Sequence, residues 1–112
     1  MKSIKLKAEF DAEIGSGQGR LVLFYSSWCP FCTSFLPVFE RVAAANAGAF
    51  ARVSIDDLPE LEDAFAIEVV PTVLFFKDGR LSSRLDGVLG LGLNADILGA
   101  FVKACVPGWK KP

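Results

Sequence analysis

From Leu21 to Phe39 the chain carries no charged residue. A stretch of that length is long enough to cross a bilayer, or it must be buried inside a folded domain. Pro30, Pro37, Cys29, Cys32 and a scatter of Ser and Thr interrupt it, which fits a membrane helix poorly. It divides better into two parts. Leu21-Val22-Leu23-Phe24-Tyr25 is a continuous apolar run, as expected of a strand covered on both faces. From Pro30 to about Ala47, Phe31, Phe35, Val38, Phe39 and Val42 recur at helical spacing, with Glu40 and Arg41 off that stripe. Pro37 removes one ladder hydrogen bond and is expected to kink the helix. A buried strand that feeds a helix directly calls for a two-sided α/β architecture.

The rest of the chain supplies the other layers. Phe10 and Ile14 lie four apart in a short amphipathic helix over 8–14, and Gly15–Gly19 breaks the chain after it. Phe50–Ile55 reads as a second strand and Pro59–Phe65 as a helical turn, with Pro59 allowed at its start. Thr72–Phe76 is the strongest strand signal. Lys77-Asp78-Gly79-Arg80 is a hairpin turn, since Asp-Gly supplies positive φ, and Leu81–Leu85 returns as its partner. A last helix starts at the N-cap Asn94 and places Ile97, Leu98, Phe101, Val102 and Cys105 on one face, with Pro107-Gly108 ending it. Trp109 is expected to fold back on the surface. The order βα, βα, ββ, α predicts one domain over residues 1–112, with a central mixed sheet of four to five strands flanked by about four helices.

Composition narrows the chemistry. At 112 residues and 52% hydrophobic, the chain can bury enough surface to fold. A net charge of −1 argues against a nucleic-acid binder, which needs an excess of cations. The absence of histidine removes the commonest general base and metal ligand, and with it any Ser-His-Asp or Cys-His nucleophile. Residues 1–7 interleave charged and apolar side chains and no apolar core follows, which fails the signal-peptide pattern and leads to the expectation of a cytoplasmic protein without a membrane role. Three cysteines are too few for a disulfide scaffold.

What remains is thiol chemistry. Trp28-Cys29-Pro30-Phe31-Cys32 stands where the buried strand ends and the helix begins. Two intervening residues put both sulfurs on the first turn, with Cys29 at the N-cap and Pro30 at N1, where a missing N–H costs nothing. The positive end of the helix favours thiolate at Cys29, and the thiolate is the species that attacks disulfides. A structural zinc site needs four ligands, which three cysteines without histidine do not supply. The pair reads as a redox site, with no cofactor and no resident metal.

At this point the chain resembles a thioredoxin over nearly its whole length. The resemblance rests on Trp28–Cys32, the strand Leu21–Tyr25, the helix proline Pro37 and Glu68-Val69-Val70-Pro71-Thr72. It also includes Phe75-Phe76-Lys77-Asp78-Gly79 and Asp86-Gly87, in the family's order. It implies a thioredoxin fold and a thiol-disulfide oxidoreductase in which Cys29 is the nucleophile and Cys32 the resolving thiol. Pro71 would be the cis-proline beside them; an X-Pro bond is nearly the only peptide that is cis cheaply. Trp28, Pro30, Phe31, Val70, Gly87 and Val88 would form an apolar collar for the substrate, and an extended substrate segment could pair with the backbone of Val70. Implied partners are disulfide-containing proteins and a thioredoxin-reductase-type electron donor. The protein would act as a monomer in electron transport and cell redox homeostasis.

Two departures from that pattern bear on chemistry. Where thioredoxins usually carry Gly-Pro, this chain has Pro30-Phe31, so the N–H groups of both Phe31 and Cys32 are able to donate to the Cys29 sulfur. That favours the reduced form and predicts a potential above the roughly −270 mV of thioredoxin. Leu23 occupies the position of the family's buried aspartate, which leaves Cys32 without an evident base. Glu68 is a substitute only if it is not simply a solvated carboxylate. Arg52 stands where the family has a lysine, and is expected to be a surface charge at a strand end. Cys105 is expected to be a small buried hydrophobe. Pro-Phe between the cysteines also resembles glutaredoxins, which would make glutathione the donor. A third reading is a non-enzymatic module whose cysteine pairs hold a metal or cluster across a dimer.

Overall fold

The computed structural model describes residues 1–46 and 48–111. Nine elements follow in chain order: β1 (Lys2–Ile4), α1 (Lys7–Ile14), β2 (Arg20–Tyr25), α2 (Pro30–Ala45), β3 (Phe50–Ser54), α3 (Pro59–Ala64), β4 (Thr72–Lys77), β5 (Arg80–Leu85) and α4 (Ala95–Cys105). They form a five-stranded sheet in the order β1-β3-β2-β4-β5. β3 runs parallel to β1 and β2, whereas β4 is antiparallel to both β2 and β5. The mixed sheet between helices is the architecture expected from the sequence.

β2 occupies the middle of the sheet, and this explains its unbroken apolar run. Its side chains alternate between faces. Val22 and Phe24 enter one core cluster with Phe10 of α1, Leu61 of α3, and Leu74 and Phe76 of β4. Leu21 and Leu23 enter the other, with Phe35, Phe39 and Val42 of α2 and Leu98 and Val102 of α4. Both faces are covered, so no position on β2 between Leu21 and Phe24 reaches water.

Some features depart from the sequence reading or escaped it. β1 is only three residues long and turns one of them, Ile4, inward, too little to set up an alternation. Arg52 lies in the middle of β3, not at its end; it pairs with Glu40 at 3.1 Å and stacks over Tyr25. Ile97, assigned to the buried face of α4, is exposed, while Leu98 and Val102 carry that face. α2 ends at Ala45 with Asn46 as its C-cap; the expected end at Ala47 falls outside the described residues. The Asn46 amide also exchanges two 2.8 Å hydrogen bonds with the backbone of Lys110, which ties the tail to α2, and Trp109 packs back onto Gly99 of α4. Pro37 lies within α2, which runs through it.

The hairpin turn is as expected. Lys77 pairs with Arg80, and Asp78 and Gly79 take φ of 54° and 77°, the two positive values of a tight two-residue connection. A side chain at Gly79 meets the left-handed penalty directly. Gly79→Val is therefore expected to lower stability by about 1–2 kcal/mol, read as a lower urea midpoint at unchanged m; an unshifted midpoint would contradict this turn geometry.

Candidate active site

The site is assembled by strand register. Phe24 of β2 pairs with Thr72 of β4, so the outgoing end of β2 and the incoming end of β4 lie side by side. The segment leaving β2 carries Trp28–Cys32, and the segment entering β4 carries Val69-Val70-Pro71. The Val70–Pro71 bond is cis. The Cys29 thiol donates to the Val70 carbonyl at 3.8 Å, which places residues far apart in sequence against each other.

Cys29 is the N-cap of α2, in extended conformation, with Pro30 in the first turn. Its carbonyl accepts from the Thr33 N–H at 3.1 Å and starts the helix ladder. The sulfur makes no cap hydrogen bond, which differs from the sequence expectation. The reason is chemical: a thiol has a proton to give and is a weak acceptor, and here it gives the proton to Val70.

Both thiols are buried, Cys32 the more deeply. Cys29 keeps 7% of its surface and Cys32 only 1%. The Cys32 sulfur accepts from the Ser26 N–H at 3.4 Å. Burial pushes its titration up to about 12 from an ordinary 9.0; the Ser26 N–H opposes the shift, and the hydrogen bond and charge of Cys29 add to it. Leu23 is fully buried in the core on the α2 side of the sheet, so it contributes an apolar side chain where a carboxylate would have been a base. Glu68 is exposed, and its charge acts on Arg84; it is a solvated carboxylate. Cys105 is half-buried on α4, and its titration is raised by burial.

Of the residues expected in the collar, Gly87 lies against Pro71, and Val88 bridges to Gly92, which packs on Phe31. Trp28 is 70% exposed, and Phe31 and Val88 are also exposed; Pro30 is exposed and Val70 half-buried. Gly87 is required by close approach: a Cβ there would lie 2.3 Å from the Pro71 carbonyl oxygen. Its N–H donates to the Thr72 hydroxyl, which donates to the Val69 carbonyl at 2.6 Å. Arg84 holds this turn from behind, forked onto Asp86 and bonded to the Phe65 and Ala66 carbonyls.

Two residues of the site escaped the sequence reading. The Asp56 carboxylate accepts from the Trp28 indole and from the Ser26 hydroxyl, each at 3.3 Å, and so fixes the exposed tryptophan to the end of β3. Ser26 is completely buried, and its hydroxyl also accepts from the Trp28 N–H. A polar residue closing an otherwise apolar run was the available signal. Among the described residues, no three Cys, Asp or Glu groups gather to hold a metal ion, and no helix is long and apolar enough to cross a membrane.

With Cys32 held as a thiol, its attack on a neighbouring disulfide depends on the small thiolate fraction. In a preformed mixed disulfide at Cys29 the same burial of Cys32 is expected. The rate of resolution is expected to rise about tenfold per pH unit from pH ~6 to ~9, followed as single-turnover thiol release. A plateau below pH ~8 would reveal a base acting on Cys32, where among the described residues no carboxylate is seen to act on it.

Known proteins agree with this construction. The thioredoxin family model matches residues 2–99. Thioredoxin of Mycoplasmoides gallisepticum is 34% identical over 90 residues, covering 80% of this chain and 90% of that protein. An H-type thioredoxin of Oryza sativa is 37% identical over 86 residues, covering 72% and 70% respectively. Among solved structures, a thioredoxin of Plasmodium falciparum superposes with a TM-score of 0.83 at 25% identity, over 95% of this chain and all of the other.

Proposed function

The chain belongs to the thioredoxin family and is a thiol-disulfide oxidoreductase, and we propose that it works as a monomeric cytoplasmic reductant of protein disulfides, with Cys29 as nucleophile and Cys32 as resolving thiol. The Cys29 thiolate attacks one sulfur of the substrate disulfide, forming the Cys29–substrate bond as the substrate S–S bond breaks. The departing thiolate takes up a proton. Cys32 then loses its proton and attacks the Cys29 sulfur; the intramolecular disulfide forms, and the second substrate thiolate leaves. Two electrons pass to the substrate, and a thioredoxin-reductase-type donor returns them. No step calls on a cofactor, a nucleic acid or a membrane.

One observation carries this assignment of roles. The outer thiol, Cys29, touches the Val70 carbonyl beside Pro71, within the exposed collar, while Cys32 lies sunk beneath it on the Ser26 N–H. An incoming disulfide meets Cys29 first. Pro71 and Val70 would line the substrate's path, with the Val70 backbone open to pairing with an extended segment, and Trp28, Pro30, Phe31, Gly87 and Val88 would receive its side chains. Were the Phe31 and Cys32 N–H groups to donate to the Cys29 thiolate, the reduced form would gain, and the potential would be less negative than roughly −270 mV.

Insulin reduction driven by dithiothreitol tests the nucleophile. Cys29→Ser is expected to reduce the rate to that of dithiothreitol alone. Equal rates for the variant and the wild type would overturn the assignment.

A further inference from the structure

Beside the collar, the segment from Gly87 to Leu93 carries no charged residue and forms a closed turn. The Val88 N–H donates to the Gly92 carbonyl at 3.1 Å, and the Val88 carbonyl accepts from the Leu91 and Gly92 N–H groups at 2.9 and 2.7 Å. Gly90 and Gly92 supply φ of 79° and 74°. Gly92 is buried against Phe31: a Cβ there would stand 2.9 Å from the Phe31 Cβ. The turn is therefore fixed in place relative to α2, only two residues from the nucleophile. It points Leu89 and Leu91 outward, 85% and 75% exposed, the two most exposed large hydrophobic side chains among the described residues.

Bulky aliphatic side chains presented to water on a hydrogen-bonded turn mark an interaction surface. This one is continuous with the reacting face, through Phe31 and Val88, and that continuity selects its occupant. We propose that Leu89 and Leu91 form an apolar shelf that selects disulfides lying in extended polypeptide segments with bulky apolar residues next to the cysteine. The proposal rests on exchange at Cys29 and specifies its substrate class. A turn whose backbone is already closed loses little backbone freedom on binding, and an apolar side chain laid across both leucines gains by burial. A small charged disulfide has nothing to bury there and reacts at Cys29 without it.

Two synthetic peptide disulfides, identical except for Leu or Ser beside the cysteines, test the shelf together with cystamine as a small charged disulfide. Wild type is expected to favour the Leu peptide in kcat/KM by about tenfold. The exposed-site variant Leu89→Ser/Leu91→Ser is expected to lose that preference, with its rates on the Ser peptide and the small disulfide unchanged. Leu89→Met/Leu91→Met should retain it, because apolar volume is conserved. Reduction of all three substrates by wild type with no preference would overturn the shelf alone. No reduction of any of them would overturn the exchange reading as well. A concentration-dependent dimer by sedimentation, lost in the serine variant, would give the surface to a second copy of the chain and overturn the proposal.

Discussion

The antiparallel register of β2 and β4 is the constraint on which the site depends. Pairing of Phe24 with Thr72 brings the N-terminus of α2 and the Val70-Pro71 turn to the same end of the sheet. A slip of one residue would turn every side chain of β2 to the opposite face, and both faces are packed with large apolar side chains. The two cores thus hold the register, and the register holds Cys29 against Val70. Precision at the thiol comes from packing well behind it.

The same packing makes the two cysteines unequal. One turn of helix takes the chain from the rim at Cys29 to the interior at Cys32. There burial dominates and keeps the second thiol protonated. Leu23 puts an apolar side chain into the core on the α2 side where the resemblance implies a carboxylate. This inequality is what the proposed order of reaction rests on, with Cys29 meeting substrate first and Cys32 following once the mixed disulfide is in place. Asp56 serves the outer rim: it fixes Trp28 and the Ser26 hydroxyl and orders the loop leading into Cys29.

Much of this was legible in the sequence for identifiable reasons. β2 and β4 announce themselves by long apolar runs, the hairpin by Asp78-Gly79, and α4 by Asn94, whose side chain does accept from the Ile97 N–H. The Cys29–Cys32 spacing specifies its own chemistry. β1 was not legible, because three residues with a single inward side chain carry no periodicity; the edge of β3 supplies its partner. Asp56 was not legible because an exposed aspartate after a strand looks like any solvated loop residue until Trp28 and Ser26 fold over it. The contact of Gly92 with Phe31 spans two distant segments, so no local pattern announces it.

The central claim is that disulfides react at Cys29 and are resolved by Cys32. Trapping with Cys32→Ser tests it most directly. Exposed to a protein disulfide, this variant should accumulate a covalent adduct whose intermolecular bond maps by mass spectrometry to Cys29 and is released by reductant. Absence of an adduct, or an adduct mapped to Cys105, would contradict the account.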